Sequence, residues 1–163
     1  MTLHLPSVPE EPPASHLLHP GDVACGVQGD SFETLLGSCV AVVLTDPRRT
    51  VGAMCHIVHA AAAPPDRRGD THYADAALAA MDARLRARGL QPPLCEAYLY
   101  GGGNMFPGVY PHLPVGERNV ARVIEQLQTL GVRILHHEVG GASYRRLRWT
   151  VGPEAPQVMT VDL

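Results

Sequence analysis

The stretch Thr34-Leu35-Leu36-Gly37-Ser38-Cys39-Val40-Ala41-Val42-Val43-Leu44-Thr45, followed by Val51-Gly52-Ala53-Met54-Cys55-His56-Ile57-Val58, decides how this chain folds. Residues 40–45 and 51–58 are apolar runs, the first rich in valine, and Asp46-Pro47-Arg48-Arg49 between them carries turn chemistry and charge. The spacing predicts an antiparallel hairpin. With a four-residue loop, Thr45 faces Thr50, and counting outward brings Cys39 directly opposite His56. Opposed side chains share a face, with Cβ atoms roughly 4.5–5.5 Å apart. A slip of one residue would send them to opposite faces, so the loop length decides the pairing. A thiol beside an imidazole is the arrangement of a cysteine nucleophile with its base. The alternative is a small Cys and a polar-tipped His filling an interior strand pair.

Upstream, Pro6, Pro9, Pro12 and Pro13 with Glu10 and Glu11 predict a disordered tail over residues 1–15, leaving residues 16–163 as a single domain. A turn at Pro20-Gly21-Asp22 precedes strands over 23–27 and 32–36, and Gly37 marks a bend ahead of Cys39. Downstream, residues 60–69 read as a surface loop. Ala74, Ala77, Leu78, Met81 and Leu85 then fall at helical spacing over 73–88, with Asp70 or Thr71 as the candidate N-cap and Gly89 as the stop. A strand over 94–100 runs into Gly101-Gly102-Gly103-Asn104. Val120, Val123, Ile124, Leu127 and Leu130 form the stripe of a second helix over 117–130. Val132 to Leu135 reads as a strand, and residues 145–151 with 157–161 as a closing hairpin around Gly152-Pro153. About eight strands and two helices, with hairpins at both ends and the helices between, argue an α+β fold with mixed sheets and both helices on one side.

The net charge of -3 gives no general footprint for nucleic acid, and the one local basic cluster, Arg145, Arg146 and Arg148, reads as a solvated strand face. No stretch is long and apolar enough to span a bilayer, and residues 1–13 lack the pattern of a signal peptide, so a cytoplasmic protein without membrane insertion is expected. Cys25, Cys39, Cys55 and Cys95 show neither CxxC spacing nor a Cys/His ladder, so free thiols, no metal and no cofactor are expected. Cys55 is adjacent to His56 on a strand and should point away from the imidazole. Cys25, Cys55 and Cys95 read as packing residues, and His59, His72, His112, His136 and His137 as surface or structural ones. The glycine run lacks the spacing and the lysine of a nucleotide-binding loop.

Several of these segments together resemble the chemoreceptor glutamine deamidase family CheD. They are Leu36-Gly37-Ser38-Cys39-Val40-Ala41-Val42, Gly52-Ala53-Met54-Cys55-His56, Tyr73-Ala74-Asp75-Ala76, Gly101-Gly102-Gly103-Asn104-Met105-Phe106, Gly116-Glu117-Arg118-Asn119 and Glu138-Val139-Gly140-Gly141, in one order from about Pro20 to Val161. The resemblance implies a three-layer α/β/β sandwich, hydrolysis of glutamine side-chain amides on methyl-accepting chemoreceptors through a Cys thioester, and in many members binding to the CheC phosphatase. A protein that keeps the fold and only docks on chemoreceptors or CheC is the alternative.

The resemblance matches the nucleophile to Cys39 and the base to His56. The family's third catalytic residue is a threonine just upstream of Gly-Ser-Cys; Thr34 lies five positions before Cys39, and Glu33, six before it, could orient an imidazolium by charge. A neighbouring imidazolium would lower the thiol pKa. For the oxyanion the candidates are the Cys39 N–H freed by the Gly37-Ser38 bend, Ser38, and the loop residues Gly101, Gly102 and Asn104, against the simpler reading that the glycines serve turns and close packing.

Overall fold

The computed structural model describes residues 3, 11–108 and 115–162. The chain runs β1 (Ser15–Leu18), β2 (Val23–Val27), β3 (Ser31–Leu36), β4 (Val40–Thr45), β5 (Val51–Ile57), α1 (Ala74–Ala87), β6 (Glu96–Gly101), α2 (Val115–Thr129), β7 (Arg133–Val139), β8 (Ser143–Thr150) and β9 (Gln157–Asp162). The strands form a four-stranded sheet in the order β1-β3-β8-β9 and a five-stranded sheet in the order β2-β5-β4-β6-β7. Both sheets are mixed, because β1–β3 and β6–β7 pair in parallel and the other neighbours antiparallel.

The continuous apolar run of β4 makes it the centre of the larger sheet, buried at every position. Val40, Val42 and Leu44, with Ala53, Cys55 and Ile57, pack beneath Leu78, Met81 and Leu85 of α1 and Val123 and Leu127 of α2. The opposite face carries Ala41, Val43, Met54, Tyr98 and Tyr100 against Phe32, Leu36, Leu147 and Trp149 of the smaller sheet. The α+β reading with both helices on one side therefore holds as three layers: helices, five-stranded sheet, four-stranded sheet. No helix among the described residues is long and apolar enough to cross a membrane.

Four local expectations change. A ninth strand, β1, was hidden because it is a short edge strand that pairs in parallel with β3, so no turn announces it. β7 continues to Val139, because its second half is a polar, largely solvent-facing edge rather than an apolar run. The N-cap of α1 is Tyr73 without a side-chain bond, and Asp70 instead accepts the His72 N–H at 2.9 Å. The central hairpin pairs Thr45 with Gly52, not Thr50. The Asp46 carboxylate causes this: it accepts the N–H groups of Thr50 (2.8 Å) and Val51 (3.0 Å) and the Thr50 hydroxyl (2.6 Å), lengthening the loop by two residues. An even shift preserves which side chains share a face. Of the expected tail, residues 1, 2 and 4–10 lie outside the described residues.

Gly52 sits against the Trp149 indole, and a Cβ there would overlap the Cη2 and Cζ3 atoms of the ring. Trp149 is 1% exposed and held between the sheets, so it has little room to retreat. Gly52→Ala is expected to cost about 1–3 kcal/mol of stability, read as a lower denaturant midpoint at unchanged slope.

Candidate active site

β3 belongs to one sheet and β4 to the next, so Gly37-Ser38-Cys39 is the link that carries the chain between layers. Cys39 is half-buried and packs against the cluster between the sheets, on the side of Ala41 and Met54. The observed register sets His56 opposite Ala41. Cys39 and His56 are therefore diagonal neighbours rather than a directly opposed pair, which corrects the simple hairpin count. A diagonal pair starts roughly 7–8 Å apart at the backbone, still within reach of a ring side chain.

The imidazole is anchored from the facing sheet. Thr34 points inward from β3, 1% exposed, and its Oγ1 lies 2.7 Å from His56 Nδ1 and 2.9 Å from the Leu18 carbonyl oxygen. A hydroxyl has one proton, and the Leu18 carbonyl can only accept, so Thr34 donates there and accepts from His56 Nδ1–H. The ring is thereby held as the tautomer whose Nε2 carries the free lone pair. Glu33 alternates to the outer face and pairs with Arg146 at 3.8 Å, so it takes no part in orienting the ring.

Burial governs the protonation of both groups. The His56 side chain is closed off from water (2% exposed), and desolvation of the charged ring depresses its pKa to about 4, partly opposed by Asp22 and reinforced by His19 and His72. Desolvation pushes the Cys39 thiol up rather than down. Burial thus works against the expected imidazolium-lowered thiol, since it disfavours the charged form of the ring and of the thiol alike. Because the unfolded ring titrates near 6.5, the unfolded chain binds more protons between pH 6.5 and 4, and stability falls as pH drops through that window. The loss attributable to this ring is about 3 kcal/mol at most, and a stability-versus-pH comparison with His56→Gln, in which the slope should flatten, measures it.

The glycine loop works as packing. The Gly102 N–H donates to Cys39 O at 2.9 Å and the Gly103 N–H to Gly37 O at 3.0 Å. A Cβ on Gly101 would overlap Cys39 O, and one on Gly102 would overlap Val120 and crowd Gly116 of α2. Asn104 is occupied locally: its N–H donates to Gly141 O at 2.7 Å and its Oδ1 accepts the Phe106 N–H at 3.1 Å. The amides of Gly102 and Asn104 are thus committed elsewhere. Among the described residues the Ser38 and Cys39 N–H groups have no backbone acceptor. Ser38 also borders a groove of about 160 Å³ between residues 103–106 and Val115-Gly116.

Two residues near this link take roles the sequence reading did not give them, and for Arg145 the solvated-face reading is corrected. Arg145 is buried, unlike Arg146 and Arg148, and donates to Gly101 O (3.2 Å) and Gly140 O (2.7 Å) with Glu138 at 3.6 Å. Alternation with Leu147 and Trp149 was the signal that it faces inward. Asn119, on α2, accepts the Ala60 N–H at 3.1 Å and donates to Val58 O at 3.1 Å and Ser38 O at 3.4 Å. Cys55 lies on the helix side of the sheet, fully buried, with its thiol pushed up to about 12 by burial. Cys95 is also buried, its thiol pushed up to about 11 chiefly by desolvation. His112 lies outside the described residues.

Residues 60–155 match the family model described as CheD chemotactic sensory transduction. A protein named "Probable chemoreceptor glutamine deamidase CheD" from Methanococcus vannielii is 34% identical over 77% of this chain and 81% of its own length. One from Albidiferax ferrireducens, "Probable chemoreceptor glutamine deamidase CheD 2", is 32% identical over 85% and 83%, and one from Desulfitobacterium hafniense is 33% identical over 78% and 81%. The family-model match begins beyond His56 and covers neither Cys39 nor His56.

Proposed function

Because the chain belongs to the CheD family, we propose that it hydrolyses the side-chain amide of glutamine on a chemoreceptor, with Cys39 as nucleophile and His56 as base and acid. The observation that carries this reading is the Thr34–His56 bond of 2.7 Å, with Leu18 O taking the Thr34 proton, because it leaves Nε2 as the free lone pair of a ring on the same side of the hairpin as Cys39.

A neutral thiol and a neutral imidazole suit a coupled proton transfer. As Sγ bonds to the amide carbon, its proton passes to Nε2 and the carbonyl electrons move to oxygen, to which the Cys39 N–H donates in this route. Collapse breaks the C–N bond, and the Nε2 proton leaves with the nitrogen as ammonia. A γ-glutamyl thioester remains on Cys39. Water then gives a proton to Nε2, its oxygen attacks the thioester, and the departing sulfur recovers the proton as glutamate is released.

The test is incubation of the purified chain with a chemoreceptor cytoplasmic fragment, followed by peptide mass spectrometry for amide-to-acid conversion and an assay for released ammonia. Conversion of defined glutamines with stoichiometric ammonia is expected. Binding without conversion would overturn the hydrolase and favour a docking module. Thr34→Val keeps the volume but removes the acceptor for Nδ1–H, so kcat should fall about 10–100-fold with KM little changed. An unchanged kcat would remove Thr34 from the machinery.

A further inference from the structure

We infer that Asn119 is a positioning residue for the oxyanion site, holding the Ser38–Cys39 peptide so that the Cys39 N–H meets the developing negative oxygen; this rests on the hydrolase reading above. Three successive carbonyls of the nucleophile link are each tied down. Gly37 O accepts the Gly103 N–H at 3.0 Å, Ser38 O accepts Asn119 Nδ2 at 3.4 Å, and Cys39 O accepts the Gly102 N–H at 2.9 Å. In a planar trans peptide the C=O and N–H point in opposite directions, so fixing a carbonyl also aims the N–H of the same unit. The unit that carries the Cys39 N–H is the middle one, and the bond that holds its carbonyl comes from a side chain.

The carboxamide of Asn119 suits that task for a definite reason. It is 6% exposed, and its orientation is fixed by its neighbours: the Ala60 N–H requires Oδ1, which leaves Nδ2 to serve the two carbonyls, Val58 O and Ser38 O. Aspartate would keep the acceptor for Ala60 and place a second acceptor against both carbonyls. Alanine would remove the partner of the buried Ala60 N–H and of the part-buried Val58 and Ser38 carbonyls. The support behind Asn119 is rigid, because the first turn of α2 brings Gly116 so close to Gly102 that a Cβ on Gly116 would overlap the glycine-loop backbone. Helix, glycine loop and nucleophile link are therefore closely packed, and Asn119 ties α2 to one peptide plane.

Asn119→Asp and Asn119→Ala are compared with the parent on the receptor fragment. Expected is a fall in kcat of about 10–100-fold at little-changed KM, less than the loss from deleting an oxyanion donor outright. Alkylation of Cys39 by iodoacetamide, followed by peptide mass spectrometry, should stay within about threefold, because displacement at a saturated carbon builds no oxyanion. Affinity for a peptide aldehyde carrying the glutamine side-chain length, whose thiohemiacetal oxygen occupies the site, should fall in proportion to kcat. Alkylation and deamidation falling together would overturn the inference, since Asn119 would then only keep Cys39 in place, and so would an unchanged kcat in an active, folded variant. If neither variant folds, the parent decides: in NMR the Cys39 amide proton should move downfield on aldehyde binding, and no movement overturns the inference. A parent that releases no ammonia would instead sink the hydrolase reading and the inference with it.

Discussion

Cys39→Ala should reduce glutamine deamidation by about 10⁴-fold or more, because the proposed thioester route then has no nucleophile and what is left is binding and the oxyanion donor. Cys39→Ser should fare little better, since a serine hydroxyl needs far more help than a thiol to lose its proton at neutral pH. Stability should change little in either variant, as the side chain is small and only half-buried. The control is the set Cys25→Ala, Cys55→Ala and Cys95→Ala, each expected to retain turnover. Cys55 is the informative member: it neighbours His56 in sequence but packs on the helix side, with its thiol pushed up to about 12 by burial. Ammonia release from the receptor fragment checks the series, and turnover that survives Cys39→Ala but not Cys55→Ala would move the nucleophile to the other side of the sheet.

The residue patterns gave mixed sheets with both helices on one side, and the three-layer order came from the family resemblance; its physical ground is that β4 and β5 are buried on both faces, so they need cover on both sides, and the two helices supply only one. The alternating strands at the chain's end, where Leu147 and Trp149 are buried and Arg146 and Arg148 are exposed, supply the other. The pairing of β1 with β3 was not legible, because a four-residue parallel edge strand has neither hairpin turn nor alternation long enough to recognise. The hairpin register was misjudged for a nameable reason. Asp46 reads as a turn residue, but which N–H groups its carboxylate will gather depends on the loop conformation, and gathering Thr50 and Val51 lengthened the loop.

The candidate site was legible in its thiol and imidazole and not in what holds them. Face sharing survived the register error, since strand alternation repeats every second residue and the shift was by two. The choice between Thr34 and Glu33 could not be made on the sequence, where both lie close upstream. It follows from the second sheet: β3 crosses the layer with Thr34 inward and Glu33 outward. Arg145 and Asn119 were not legible as supports because each also acts on a carbonyl far away in the chain, Gly101 O and Ser38 O, a relation that local patterns do not encode. The direction of the thiol pKa also turned on burial, which outweighs the textual closeness of Cys and His.

His56→Gln should lower kcat/KM by about 10³-fold, within the range lost when a positioned acid–base group is removed. Every proton transfer of the proposed route runs through Nε2: the thiol and then the attacking water lose their acceptor, and the departing nitrogen and then the departing sulfur lose their donor. The parent's pH profile follows from the same ring. His56 must be unprotonated to accept the Cys39 proton, and desolvation, as the leading cause, depresses its pKa to about 4, so the acid limb should fall only as pH drops through about 4 rather than near the ordinary 6.5. In His56→Gln that limb should vanish. The residual rate should instead climb with pH into the alkaline range, because the thiol, pushed up by burial, must then ionise by itself. Steady-state kinetics on the receptor fragment at several pH values measures both slopes. An acid limb unchanged in His56→Gln would assign it to another group and leave the imidazole as a packing residue beneath Cys39.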